Sequence, residues 1–284
     1  MTDDDYLVEI REVTPRVVVA ADSNFFDMNA AAIALENFIV IIDTLFFPVQ
    51  SRQLRDFIEE KFDLPVKYVF FSHIDGDHIY GADTFRGAEI IASHHLGLKI
   101  KKRLAKDWYE AEFDEWRRIK PEHTDAFNEI QILLPNIEFE KEYVISDGPY
   151  RIQFYHSGGH TSCSSWAYFP QDKIVFTGDE LASYDWPLIS DKTGNPDEWI
   201  DSFEHILSLN VDIIVPGHGK IVDKNHLREH LEFMIKIRET VIDAIKKGMS
   251  KDEIEVPEFY APTEDWRIPE ALEHLFEFYS TFKQ

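Results

Sequence analysis

The chain is poor in cysteine, in basic residues and in long apolar runs, and each shortage removes a class of protein. Cys163 is the only cysteine among 284 residues. No internal disulfide can form, and a structural zinc site built on thiolates is excluded. Lysine and arginine number 29 against 53 acidic residues, a formal charge of −24. A field of that sign repels polyanions and anionic lipid, which predicts no nucleic-acid partner and no membrane partner, and it favours solubility. No apolar run reaches the roughly 20 residues that span a bilayer. The start, Met1-Thr2-Asp3-Asp4-Asp5, is acidic where a secretion signal is basic, so the expected location is the cytoplasm. Repeats, low-complexity tracts and proline-rich linkers are missing too, and the reading is one domain over residues 1–284.

What is there alternates between strand-like and helix-like patterns. Short β-branched or aromatic runs at 16–21, 38–43, 66–72, 89–92, 151–155, 173–177 and 211–215 read as buried strands. Leu54, Phe57, Ile58 and Phe62 recur at the spacing of one helix face, as do Trp199, Phe203, Ile206 and Leu207. From about 95 to 121 a dense run of charges and aromatics predicts an inserted helix, with Lys101, Lys102, Arg103, Trp108, Tyr109, Phe113 and Trp116 along it. A helical tail is expected from about 223, its stretch 227–247 ended by Gly248. The fold class is α/β.

Four of the expected strands run into a metal-ligand type: His73, His160, Asp179 and His218. Sites in α/β proteins gather where strand ends and their loops converge, so positions far apart in sequence can meet there. The densest piece is His73-Ile74-Asp75-Gly76-Asp77-His78, four potential ligands in six residues with a glycine to turn on. Imidazole with carboxylate suits zinc, iron or manganese.

These residues resemble the metallo-β-lactamase superfamily, whose usual loop is His-x-His-x-Asp-His. Ile-Asp-Thr at 42–44, Gly-Gly-His-Thr at 158–161, Thr-Gly-Asp at 177–179 and Pro-Gly-His-Gly at 216–219 extend the likeness over roughly residues 16–222. The resemblance implies a four-layer αββα sandwich with a two-metal site at one edge. It implies metal 1 on His73, Asp75 and His160, metal 2 on Asp77, His78 and His218, and Asp179 bridging both. Asp43 matches the aspartate that steadies the ligand loop from behind. The implied cofactors are two divalent cations, zinc first, with iron or manganese as alternatives.

Position 75 departs from the family pattern, with Asp where His is usual. The added carboxylate brings two divalent cations and one hydroxide to a formal charge of zero, and favours harder cations. Flavodiiron proteins of this fold carry a carboxylate at the same place. Three functions follow in order. The first is a hydrolase whose metal-held hydroxide attacks an ester, lactone, thioester or related bond of a small molecule, with Asp77 also orienting the hydroxide. The second is a diiron protein reactive with oxygen or nitric oxide, which would need an external electron donor because no flavodoxin-like stretch is read. The third is a metal-binding or sensor module without catalysis.

Lesser candidates are read as structural. His94, His95 and His156 are expected to be hydrogen-bonded framework residues, and His123, His205, His226, His230 and His274 surface or core residues. Cys163 is expected to be a small buried thiol. Phe25 and Phe26 are candidates for an apolar rim, Ser183-Tyr184-Asp185-Trp186 for a second wall, and Lys220 for a solvated lysine.

Overall fold

The computed structural model describes residues 6–22 and 24–281, so the acidic start Met1 to Asp5 lies outside the described residues. Seven strands form one sheet in sequence order: β1 (Glu9–Thr14), β2 (Val17–Asp22), β3 (Met28–Ala34), β4 (Ile39–Ile42), β5 (Val66–Phe70), β6 (Glu89–Ser93) and β7 (Ile137–Phe139). Pairing is antiparallel from β1 to β4 and parallel from β4 to β7. The second sheet contains β8 (Glu142–Asp147), β9 (Tyr150–His156), β10 (Ser165–Phe169), β11 (Ile174–Phe176) and β12 (Ile213–Val215), with only β11 and β12 parallel. Every strand of the first sheet precedes residue 140 and every strand of the second follows 141, so the chain passes between the sheets once.

Helices cover the outer faces. Against the first sheet lie α1 (Pro48–Phe62), α3 (His94–Leu104), α4 (Trp108–Ile119) and α5 (Thr124–Glu129), with the short α2 (Gly76–Ile79) between. Against the second lie α6 (Pro196–Ser208), α7 (Lys224–Lys247) and α8 (Arg267–Ser280). Helix α7 ends on Gly248 at φ 74°, a left-handed closure that costs glycine little.

Three apolar layers hold this together. Val17, Val19, Ile33, Val40 and Phe70 meet Phe154, Phe169 and Phe176 between the sheets. The alternate residues Val18, Ala20, Ala32, Ile39 and Ile41 turn outward onto Leu54, Ile58, Leu96 and Ile100. Both faces of these strands are therefore buried, which is why they read as unbroken apolar runs. The third layer packs Trp166, Val175 and Ile214 against Trp199, Phe203 and Ile237. The architecture is the αββα sandwich. Among the described residues no helix is long and apolar enough to cross a membrane.

Candidate metal centre

All seven candidate ligands lie in the segments that follow strands β5, β9, β11 and β12. β5 ends at Phe70 and the chain runs through Ser72 into His73; Asp75 precedes α2, which carries Asp77 and His78. From the second sheet come His160 after β9, Asp179 after β11 and His218 after β12. Asn29 of β3 ties the rims together: its side-chain amide donates to Pro216 O and Gly219 O, at 3.0 and 2.9 Å. Gly217 sits where only hydrogen fits, since a Cβ there would overlap Asp179 Oδ1 and stand 2.6 Å from Gly178 C.

The side chains form two trios around one carboxylate. Asp179 Oδ2 lies 3.5 Å from His73 Nε2 and 3.8 Å from His160 Nε2, and Asp75 Oδ2 lies 3.4 and 3.2 Å from the same two nitrogens. Asp179 Oδ1 faces the other way, 3.0 Å from His78 Nε2 and 3.2 Å from His218 Nε2. Asp77 Oδ2 completes that side at 3.4 Å from His218 and 3.8 Å from His78. Asp75 makes no capping bond to its own helix. It is drawn to the imidazoles instead.

Two features fit this set to cations. A tetrahedral ion with bonds of about 2.0–2.1 Å separates its ligand atoms by about 3.3–3.4 Å, the middle of the range above. The buried atoms His73 Nε2, His78 Nε2 and Asp179 Oδ1 also lack hydrogen-bond partners, although they crowd one another. Buried polar atoms left so are costly unless something else binds them.

The outer ring nitrogens are all engaged. His78 Nδ1 lies 2.8 Å from Asp43 Oδ2, His73 Nδ1 2.9 Å from Ser72 Oγ, His160 Nδ1 2.9 Å from Leu188 O and His218 Nδ1 2.7 Å from Phe26 O. Asp43 also accepts from Ser72 N and Oγ, at 2.8 and 2.7 Å. Every imidazole is thereby turned to present Nε2 inward. Electrostatics follow the crowding of carboxylates. Burial and His78 push the His73 imidazole down, but Asp179 and Asp75 outweigh them and raise it to about 10. Burial likewise lowers His218, and Asp179 with Asp77 reverses this to about 9. Burial pushes Asp77 up, with Asp179 and Asp75 adding to it against His78 and His218.

The sequence profile of the metallo-beta-lactamase superfamily matches residues 24–218. The chain belongs to that superfamily. Among similar curated proteins, the 2,4-dinitroanisole O-demethylase subunit alpha of Nocardioides sp. is 23% identical over 217 residues, 75% of this chain and 59% of the relative. Metallo-beta-lactamase type 2 of Bacillus cereus is 23% identical over 237 residues, 80% of this chain and 82% of the relative. Among solved structures, the stereoselective inverting sec-alkylsulfatase Pisa1 from Pseudomonas sp. superposes with a TM-score of 0.73 at 16% identity, over 96% of this chain and 50% of that one. The chain thus spans 59% of the demethylase subunit and half of the alkylsulfatase. At the coarse level it is a member of a metal-dependent hydrolase family with a His/Asp cluster suited to divalent metal.

The centre opens into a cleft of about 720 Å³. Phe25 and Phe26 line it and also pack on Phe46, with Trp116 edge-on to Phe26. Ser183, Tyr184 and Asp185 line it too, but Trp186 is buried against Phe233 of α7 and is not a wall. His123, with no motif to pair it in the sequence, is buried 2.8 Å from Tyr6 OH. Sequence reading missed Arg103, Glu112, Thr263, Glu264, Trp266 and Arg267, all of which reach the cleft. Glu112 and Trp116 stand one helical turn apart, a signal that could have been read. Nothing marks the C-terminal four.

Proposed function

We propose that this protein is a two-metal hydrolase of small, largely apolar molecules. Metal 1 is assigned to His73, Asp75 and His160, metal 2 to Asp77, His78 and His218, with Asp179 shared. The observation that carries the reading is Asp179, whose two oxygens face two separate trios. Zinc is the first candidate, and the Asp75 carboxylate keeps iron and manganese in play. When bound, two divalent cations lower the pKa of a water from about 16 toward about 7 and polarise the bond under attack.

The chain's own groups do the rest. Asp77, besides serving as a ligand, orients the attacking oxygen from the side of His218. Phe25, Phe26, Trp116 and Trp266 hold the apolar part of the substrate and exclude bulk water. The cleft also exposes Asp27, Glu112 and Glu264 beside Arg103 and Lys220, a balance that offers no concentrated anchor for an anion. A carboxylic ester, lactone or thioester suits it. The demethylase relative, whose name places it on an O-methyl group, supports a substrate with an oxygen leaving group.

Metal counting tests the assignment. His160→Ala and His218→Ala should each lose one equivalent, and Asp179→Ala both, with activity on an ester, lactone and thioester panel falling in step. Two equivalents retained in all three variants would refute the ligand set. Wild-type protein that holds two metals yet turns over no member of the panel would refute hydrolysis.

A further inference from the structure

We propose that Glu112 donates a proton to the leaving group, which fits the site to esters that expel an unactivated alkoxide. The inference rests on the hydrolase reading above, and adds a catalytic residue from outside the ligand set. Glu112 lies on α4 and lines the same cleft as Asp75, Asp77 and Asp179. Tyr109 and Phe113 anchor that helix to the body, both buried, and Tyr80 packs against both rings at 6.0 and 5.1 Å. The Tyr80 hydroxyl donates to Glu112 Oε1 at 2.7 Å. One oxygen is thus held by a fixed phenol, on a side chain that lines the cleft.

Burial favours the carboxylic acid, in which Oε1 accepts from Tyr80 and the other oxygen carries the proton. Burial raises the Glu112 carboxyl; Tyr80, Arg103 and Trp116 draw it down and Asp75 pushes it up, leaving it above its ordinary value. Cations at the centre would offset the contribution of Asp75, and burial, the largest cause, would remain.

The reaction balances without another reagent. Water gives one proton to solvent as its oxygen bonds the carbonyl carbon; the carbon–oxygen bond to the leaving group breaks, and that oxygen takes the Glu112 proton. Glu112 then regains a proton from solvent, so an ester and a water become an acid and an alcohol. A thiol of pKa about 8.5 leaves as thiolate without help, whereas an alkoxide, whose acid is as weak as water at about 16, does not. The donor therefore matters for one class and hardly for the other.

The test compares metal-loaded wild type and Glu112→Gln on an alkyl ester and a thioester of the same acyl group. Glutamine keeps an oxygen for Tyr80. The variant should lose roughly 10²–10⁴-fold in kcat/KM on the alkyl ester and less than about tenfold on the thioester. Wild-type activity on the alkyl ester should fall as pH rises through the raised Glu112 value, and that alkaline limb should vanish in the variant. The infrared C=O band of a protonated carboxyl should weaken in Glu112→Gln, a readout that needs no turnover. Equal losses on both substrates, an alkaline limb that survives, or an unchanged infrared band would overturn the proposal. Wild type inactive on both substrates would instead overturn the hydrolase reading, while the infrared band still reports on Glu112.

Discussion

At position 75 a carboxylate oxygen stands 3.4 Å from His73 Nε2 and 3.2 Å from His160 Nε2, where the common family loop would bring a third imidazole. Asp75→His should therefore shift the preference of metal 1 toward zinc. The acid limb of the activity profile should move to lower pH, because a less charge-compensated centre acidifies its water more. Metal competition at limiting supply and a pH–rate profile check both, and unchanged selectivity would show that the carboxylate does not set it. Gly217 supplies a second residue-scale expectation. Its Cβ position is occupied by Asp179 Oδ1, so Gly217→Ala should displace the shared carboxylate and cost both metals, although it adds one methyl and removes no ligand. Metal content of that variant near wild type would mean that the loop yields instead.

Elements divide into those that carry ligands and those that shape access to them. The irregular stretch between α7 and α8 belongs to the second kind. Asp185, in the loop after Asp179, accepts from Thr263 N at 2.9 Å and Thr263 Oγ1 at 2.5 Å and pairs with Arg267 at 3.0 Å. Both partners of that pair are nearly enclosed, at 13% and 14% side-chain exposure. Asp185→Ala leaves Arg267 with Glu264 at 2.6 Å as its remaining carboxylate and the Thr263 N–H without its acceptor, and should cost about 2 kcal/mol in urea unfolding of the metal-loaded protein. It should also loosen the wall that bears Trp266. A loss below about 0.5 kcal/mol would mean that other contacts hold the strap.

What could be read from sequence follows the same division. Strands such as β2 and β4 were legible because burial on both faces demands β-branched and aromatic runs. The alanine-rich β3, Met28–Ala34, was not, since alanine carries no strand preference and is selected here for close packing between layers. The ligands were legible because each needs a particular atom at a strand end. Thr263, Glu264, Trp266 and Arg267 were not, because a wall needs only bulk and position, and position depends on the tertiary path of α7.

For the whole molecule, pH acts in opposite directions on the two metal states. Without cations, His73 near 10 and His218 near 9 lie above the ordinary imidazole value. Their stabilising contribution is complete below about 6.5 and is lost as pH rises through the folded values, so metal-free protein should melt lower at about pH 10 than at about pH 6.5. With cations the imidazoles are held neutral, and protons compete for them. Metal-loaded protein should then be weakened in mild acid. Thermal unfolding with and without chelator reads this crossing, and parallel pH profiles would contradict it. Charge gives a second expectation at this scale. Within the basic run, Lys101 is already paired with Glu138 at 2.7 Å and Arg103 faces the cleft, so little positive surface remains against −24. DNA or RNA should not be retained at about 150 mM salt, and tight salt-sensitive binding would refute that.

The single passage of the chain between sheets, at residues 140 and 141, assigns the ligands to two halves. His73, Asp75, Asp77 and His78 come from the first half, His160, Asp179 and His218 from the second. Each cation in the proposed assignment is then a rivet through both plates, because neither half alone supplies a full trio. Protein nicked at that one link should stay assembled while its metals are bound, and chelation should ease the plates apart by more than it does in the unbroken chain.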